Sequence, residues 1–128
     1  AKASRMSLPQ NVSLCDAVAQ AGWLASFVDA CHRDEAGRAA DCMEDVLVGP
    51  GRQHMIPHFD EVRRVAFNSG ARSGGIAGSG PSTFWITTGA AQAAHISEAL
   101  GQLMRQLSIS HTVCRATPDL NGARLIHS

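Results

Sequence analysis

Along the first third of the chain Leu14, Val18, Ala21, Ala25 and Val28 follow one another at steps of four and three. That period predicts an α-helix with one apolar face, running to about Cys31. Ser13 stands where an N-cap belongs, with Asp16 three residues on, close to a capping box. Gly22 costs the helix up to about 1 kcal/mol against alanine. Trp23 and Phe27 form an i, i+4 aromatic pair suited to a core or lobe contact. His32-Arg33 closes the helix with positive charge at its negative dipole end. A second, shorter helix is predicted from an Asp34 cap, with Ala36, Ala39, Ala40, Met43 and Leu47 facing inward. Almost no loop separates the two, which makes them an αα-hairpin. Val48-Gly49-Pro50-Gly51 ends the second helix in a sharp turn that puts Arg52 on a loop. Ile56-Pro57-His58-Phe59 leads into a third helix, with Asp60-Glu61 favouring its positive end. Val62, Val65 and Ala66 face inward there, Arg63 and Arg64 face solvent, and Gly70 is the expected left-handed residue at its end.

The pattern then changes. Gly74-Gly75-Ile76-Ala77-Gly78-Ser79-Gly80-Pro81 is nearly free of side-chain bulk, and Ser82-Thr83-Phe84-Trp85-Ile86 runs into strand formers. Strand, tight glycine turn and antiparallel strand are predicted, the second strand over 83–87. A fourth helix starts at about Thr88 or Gly89, with Ile96, Leu100, Leu103 and Leu107 as its stripe. Residues 112–116 read as a strand, Pro118-Asp119-Leu120-Asn121 as a turn, and 122–126 as a returning strand. Three helices, two strands, a helix and two strands make an α+β fold with helices on one face of an antiparallel sheet, and a ferredoxin-like arrangement fits that order.

Composition narrows the setting. The chain has 128 residues, 45% of them apolar, which suits a single core and one domain over 1–128. Eleven basic and eleven acidic side chains cancel. No basic field points to nucleic acid, and no polybasic or lipidation pattern points to a membrane surface. The longest apolar runs fall short of the roughly 18 residues that suggest a transmembrane helix, and no secretory signal pattern is seen. A soluble, cytoplasmic protein is expected. Cys15, Cys31, Cys42 and Cys114 lack CxxC spacing, and three lie in helical sequence, so they read as reduced, half-buried apolar residues rather than a zinc site. His54 and His58 are the close pair among six histidines. Pro57 between them argues against one helix presenting both to a metal, and no metal site is expected.

On pattern alone the glycine stretch is a hairpin turn. It lacks the lysine of a P-loop, and Pro81 with the strand formers after it excludes the helix start of a dinucleotide site. Gly78-Ser79-Gly80-Pro81-Ser82 nevertheless resembles the third signature motif of the GHMP kinases, small-molecule kinases for galactose, homoserine, mevalonate and phosphomevalonate. Three further stretches resemble the homoserine kinases within that family. Arg5-Met6-Ser7-Leu8-Pro9 is similar to their RxxLP segment, and Arg52-Gln53-His54-Met55-Ile56-Pro57 to their RxxxIP segment. Gly122-Ala123-Arg124-Leu125-Ile126 is similar to the strand that ends their chains. The four lie in the family's order and cover nearly the whole sequence.

The resemblance implies a GHMP kinase C-terminal domain, a ferredoxin-like sheet whose first strand and whose N-terminal ATP-binding lobe precede Ala1 and are absent from this chain. In that topology the missing strand lies inside the sheet. The chain is therefore expected to close the gap by shifting strands or to take a strand from a neighbour, because unpaired buried backbone is costly. The implied activity is ATP-dependent phosphorylation of the side-chain hydroxyl of L-homoserine to O-phosphohomoserine, in threonine biosynthesis, with ATP and Mg2+ bound mainly by the missing lobe. Arg5 and Arg52 occupy the positions of the family's substrate-binding arginines, and guanidinium groups can grip a carboxylate bidentately. Gly78, Ser79, Gly80, Pro81 and Ser82 would support the site by their small size. No general base is evident, since capping explains Asp60 and Asp119. The isolated chain is expected to be inactive, and a homodimer stays open. The competing readings are another GHMP member, such as a mevalonate-pathway or sugar kinase, and a non-catalytic ferredoxin-like ligand-binding module.

Overall fold

The computed structural model describes residues 8–125. In chain order they form α1 (Leu14–His32), α2 (Ala36–Asp41), α3 (Gly49–Arg52), a 3-10 turn (Gln53–Met55), α4 (Phe59–Asn68), β1 (Ser73–Ile76), β2 (Thr83–Ile86) and α5 (Ala90–Gln106). The α+β class expected from the pattern is the class observed.

Ser13 starts α1 as its sequence implies. Its Oγ accepts the Asp16 backbone N–H at 3.0 Å, and its hydroxyl donates to the Asp16 carboxylate at 2.7 Å. α1 ends at His32 with Arg33 after it, as expected, but the link to α2 differs. Asp34 does not cap α2; it takes φ +57, which turns the chain so that the Glu35 amide reaches back to the Ala30 carbonyl at 3.0 Å. This is a Schellman closure of α1, and Glu35 becomes the residue before α2. Gly70 at φ +98 and Ser108 at φ +55 close α4 and α5 the same way, with Ala71 N–H on Ala66 O at 2.9 Å and Ile109 N–H on Met104 O at 3.0 Å.

α2 stops at Asp41, short of Met43 and Leu47. The chain beyond it is held by side chains instead. The Gln20 amide of α1 donates to the Glu44 carbonyl at 2.9 Å and accepts the Val46 N–H at 3.0 Å. The Asp45 carboxylate gathers the N–H groups of Leu47, Val48 and Gly49 at 3.0, 2.8 and 2.7 Å. An aspartate accepting several amides in a row competes successfully with helix continuation. It also sets the start of α3.

The core lies between α4, α5 and the hairpin: Val62, Ala66, Ala71, Ile96 and Leu100 are buried together, with Val65, Trp85, Leu103 and Met104 packed against them. Strands β1 and β2 are antiparallel, with Gly74 opposite Trp85 and Gly75 opposite Phe84. Trp85 sits between Phe59 and Phe67, ring centroids 6.2 and 6.0 Å away. A Cβ on Gly74 would strike the Trp85 ring and the Phe84 carbonyl, so glycine there lets the indole lie across the sheet. Arg72 ties α2 to the foot of β1 through the Gly37 carbonyl and the Asp41 carboxylate.

Two expectations are corrected. Residues 112–116 and the described part of 122–126 are not strands; from 110 to 125 the chain is exposed and makes no ladder bonds. Strand-forming residues pair only when a strand stands beside them, and β1 and β2 use each other. Second, the apolar face of α1 is not turned inward. Ala30 on the other side of the helix is buried, while Leu14, Val18 and Val28 are exposed. The cysteines follow suit: Cys42 is buried, but Cys15, Cys31 and Cys114 are exposed, all four unbridged. Among the described residues no helix is long and apolar enough to cross a membrane.

Candidate functional site

The hairpin loop is built by its backbone. Ala77 N–H donates to Ser82 O at 2.8 Å and Gly80 N–H to Ala77 O at 3.1 Å, which pinches residues 77–82 into a narrow bend. Gly78 and Gly80 take φ +62 and +73, and the Gly80-Pro81 bond is cis. The two glycines have different surroundings. A Cβ on Gly78 would meet nothing within 4 Å, whereas one on Gly80 would sit 3.0 Å from Ile56 Cδ1 and 3.5 Å from Ile76 Cγ2. Gly78, Ser79, Pro81 and Ser82 are exposed. The loop therefore offers backbone to its surroundings on one side and packs on the protein on the other.

What it packs on is the stretch 52–57. Arg52 ends α3, half-buried rather than thrown out on a loop, because the Asp45 cap folds residues 49–52 into a helical turn. Its Nη1 donates to the Gly78 carbonyl at 3.2 Å. Four residues on, Ile56 lies against Gly80. Two segments far apart in sequence are thus joined at two points, a guanidinium on the open glycine and an aliphatic side chain on the closed one.

Arg5 lies outside the described residues. Arg124 is exposed and paired with Asp119 at 2.9 Å, beside a turn in which Asp119 Oδ1 accepts Asn121 N–H at 2.9 Å. His54 and His58 are separated by the break at Ile56-Pro57, and His58 Nδ1 contacts Glu61 Oε2 at 2.7 Å. Among the described residues no three His, Cys, Asp or Glu side chains are grouped to hold a metal ion. A cavity of about 250 Å³ opens nearby, walled by Glu44, Asp45, Phe59, Arg63, Gly74 and Gly75 among others. Gln53 of the 52–57 stretch and Ile76 also wall it, while Arg52 and residues 78–82 do not, so the cavity adjoins the paired motifs without being lined by Arg52 or the glycine loop. Arg63, read from sequence as plain solvated charge, lies over the Phe67 ring, 5.2 Å from its centroid.

No protein-family model matches the chain. Among solved structures, a homoserine kinase from Cytophaga hutchinsonii superimposes with a TM-score of 0.80 at 33% identity, over 85% of this chain and 35% of that one. The present chain thus spans about a third of that kinase's length. Joined with the contact between residues 52–57 and the glycine loop, that agreement establishes that this chain has a homoserine kinase-like fold.

Proposed function

We propose that the chain is the C-terminal part of a cytoplasmic, ATP-dependent kinase that phosphorylates the side-chain hydroxyl of L-homoserine, a step of threonine biosynthesis. The observation that carries this reading is the hydrogen bond from Arg52 to Gly78 O. It couples the two motifs that most resemble the family and orients a guanidinium by one of its five donors. Homoserine differs from a sugar substrate in carrying a carboxylate, and a guanidinium held in a fixed plane is the side chain suited to grip it. Arg5 is the proposed second grip. Phosphoryl transfer depends on placement and charge neutralisation more than on covalent help, so fixing the amino-acid end of the substrate aims its hydroxyl.

The described residues do not themselves fit ATP or Mg2+. They present no cluster of hard oxygen ligands and no glycine loop leading into a helix, and Asp119 is already committed to its turn and to Arg124. Nucleotide and metal are therefore assigned to a lobe outside this chain, and the chain alone is expected to phosphorylate nothing. Its part is to bind and orient the acceptor.

The test uses the chain joined to an upstream ATP-binding lobe. ATP-dependent phosphorylation of L-homoserine, in preference to mevalonate or a sugar, is expected. In that enzyme Arg52→Ala should raise KM for homoserine far more than KM for ATP. Truncating a charged bidentate contact costs about 2–5 kcal/mol, roughly 30-fold to several thousand-fold in kcat/KM. An unchanged homoserine KM would remove Arg52 from the site.

A further inference from the structure

α3 is a helix of four residues, Gly49–Arg52, and its last residue is the arginine proposed to grip the acceptor. A single turn does not stand on its own backbone bonds, because it fixes several torsions for very few hydrogen bonds. Here the Gln53 N–H on Gly49 O closes it, and Pro50 adds no N–H. The turn is held from upstream. Asp45 Oδ1 accepts the N–H groups of Leu47 and Val48 at 3.0 and 2.8 Å, and Oδ2 accepts that of Gly49 at 2.7 Å. Bonds to an ionised carboxylate are about twice as strong as neutral ones. A Cβ on Gly49 would sit 3.2 Å from Oδ2, so glycine lets the cap close.

Asp45 is itself aimed from α1. The half-buried Gln20 brackets it: Nε2 donates to the Glu44 carbonyl at 2.9 Å and Oε1 accepts the Val46 N–H at 3.0 Å, the carbonyl before Asp45 and the amide after it. A primary amide that donates and accepts across one residue fixes that residue's backbone on both sides. At the far end of the turn Arg52 Nη1 donates to Gly78 O at 3.2 Å. Contacts therefore run from α1 through Asp45 and α3 to the glycine loop. With its oxygens on three amides, the Asp45 carboxylate acts through Arg52 rather than on a bound molecule.

We infer that Asp45, bracketed by Gln20, is a positioning residue for Arg52: it holds one helical turn so that the guanidinium is set before the acceptor arrives. A grip arranged in advance gives up less freedom on binding, so its loss is felt in affinity. The consequence for homoserine rests on the kinase reading; the hold on Arg52 does not.

Two measurements test it. In nitrogen-15 spectra of the chain, Asp45→Ala should move the Arg52 Nε–Hε resonance, assigned by its loss in Arg52→Lys, and speed exchange of the Leu47, Val48 and Gly49 amides about tenfold. Asp45→Asn, which keeps one accepting oxygen, and Gln20→Ala should do the same to a smaller extent, and Asp45→Asn carries the reading if Asp45→Ala does not fold. Glu44→Gln removes the same charge one residue away and should leave both signals unchanged. In the chain joined to an ATP-binding lobe, Asp45→Ala should raise KM for homoserine about tenfold, with kcat and KM for ATP unchanged. On an Arg52→Ala background the same substitution should add less than about twofold, since residues that act as one unit are not additive. An Arg52 resonance that stays in place in both Asp45 variants, or a KM effect that persists in full without Arg52, would overturn the inference. A resonance that moves in a joined enzyme that ignores homoserine would uphold the hold on Arg52 and remove the kinase reading instead.

Discussion

Gly78 and Gly80 have nearly the same backbone conformation, φ +62 and +73, but different surroundings. Alanine at either position meets the left-handed penalty of about 1–2 kcal/mol. At Gly78 nothing else opposes the new methyl; at Gly80 it would press on Ile56, 3.0 Å away, and overpacking adds about 1 kcal/mol or more. Urea midpoints should therefore fall further for Gly80→Ala than for Gly78→Ala, and equal midpoints would mean that Ile56 does not seat the loop. The sequence showed that glycine was needed in this stretch. It could not show which glycine faces outward, because that depends on a residue 24 positions upstream. A second residue-scale expectation concerns Asp29, which Arg33 and Arg38 contact at 3.0 and 2.9 Å. The Arg33 hydrogen bond, joined by the charges of both arginines, holds its carboxyl below the ordinary 3.8. A depressed folded value means that the contribution is fully present above pH 3.8 and is lost as pH falls through the lower, folded value. Carbon-13 titration of Asp29 should give a midpoint below 3.8; a midpoint at or above it would show that the arginines do not hold the carboxylate.

Among the elements, those fixed by local chemistry were legible. The Ser13 cap, the glycine-to-strand change at 78–86 and the Ile96-Leu100-Leu103 stripe predicted α1, the hairpin and α5 close to their observed bounds. His32-Arg33 marked where α1 ends, but the left-handed closing turn was legible only at Gly70. Asp34 and Ser108 adopt the same left-handed turn without glycine, since a short polar side chain tolerates it and the returning amide bond compensates. Residues 112–116 were misread because strand propensity describes fit to a neighbouring strand more than a property of the segment. The α4–α5 seam is where most of the buried apolar contact lies, and Leu100 is central to it at 7% exposure. Leu100→Ala should cost about 2–5 kcal/mol, a large part of the roughly 5–15 kcal/mol of a typical domain. Thermal melts should show it as a steep loss of cooperative unfolding, and a loss under 1 kcal/mol would place the core elsewhere.

At the scale of the molecule the interior is small, and the most apolar helix keeps half its circumference in water. This is the pattern of a chain whose surfaces are completed by other polypeptide. The kinase assay tests whether Arg52 and the glycine loop form one such surface. The sequence by itself determined the α+β class, the positions of α1, α4, the hairpin and α5, and the four motifs that resemble homoserine kinases, because periodicity, caps and glycine runs act over a few residues. It could not say which side of α1 faces the core, that 112–116 would stay unpaired, or that Arg52 would meet Gly78. Those depend on contacts between segments distant in the chain. The stripe of α1 fixes which residues share a face but not where that face points, because periodicity is local; only the tertiary structure set Ala30 inside and Leu14, Val18 and Val28 outside.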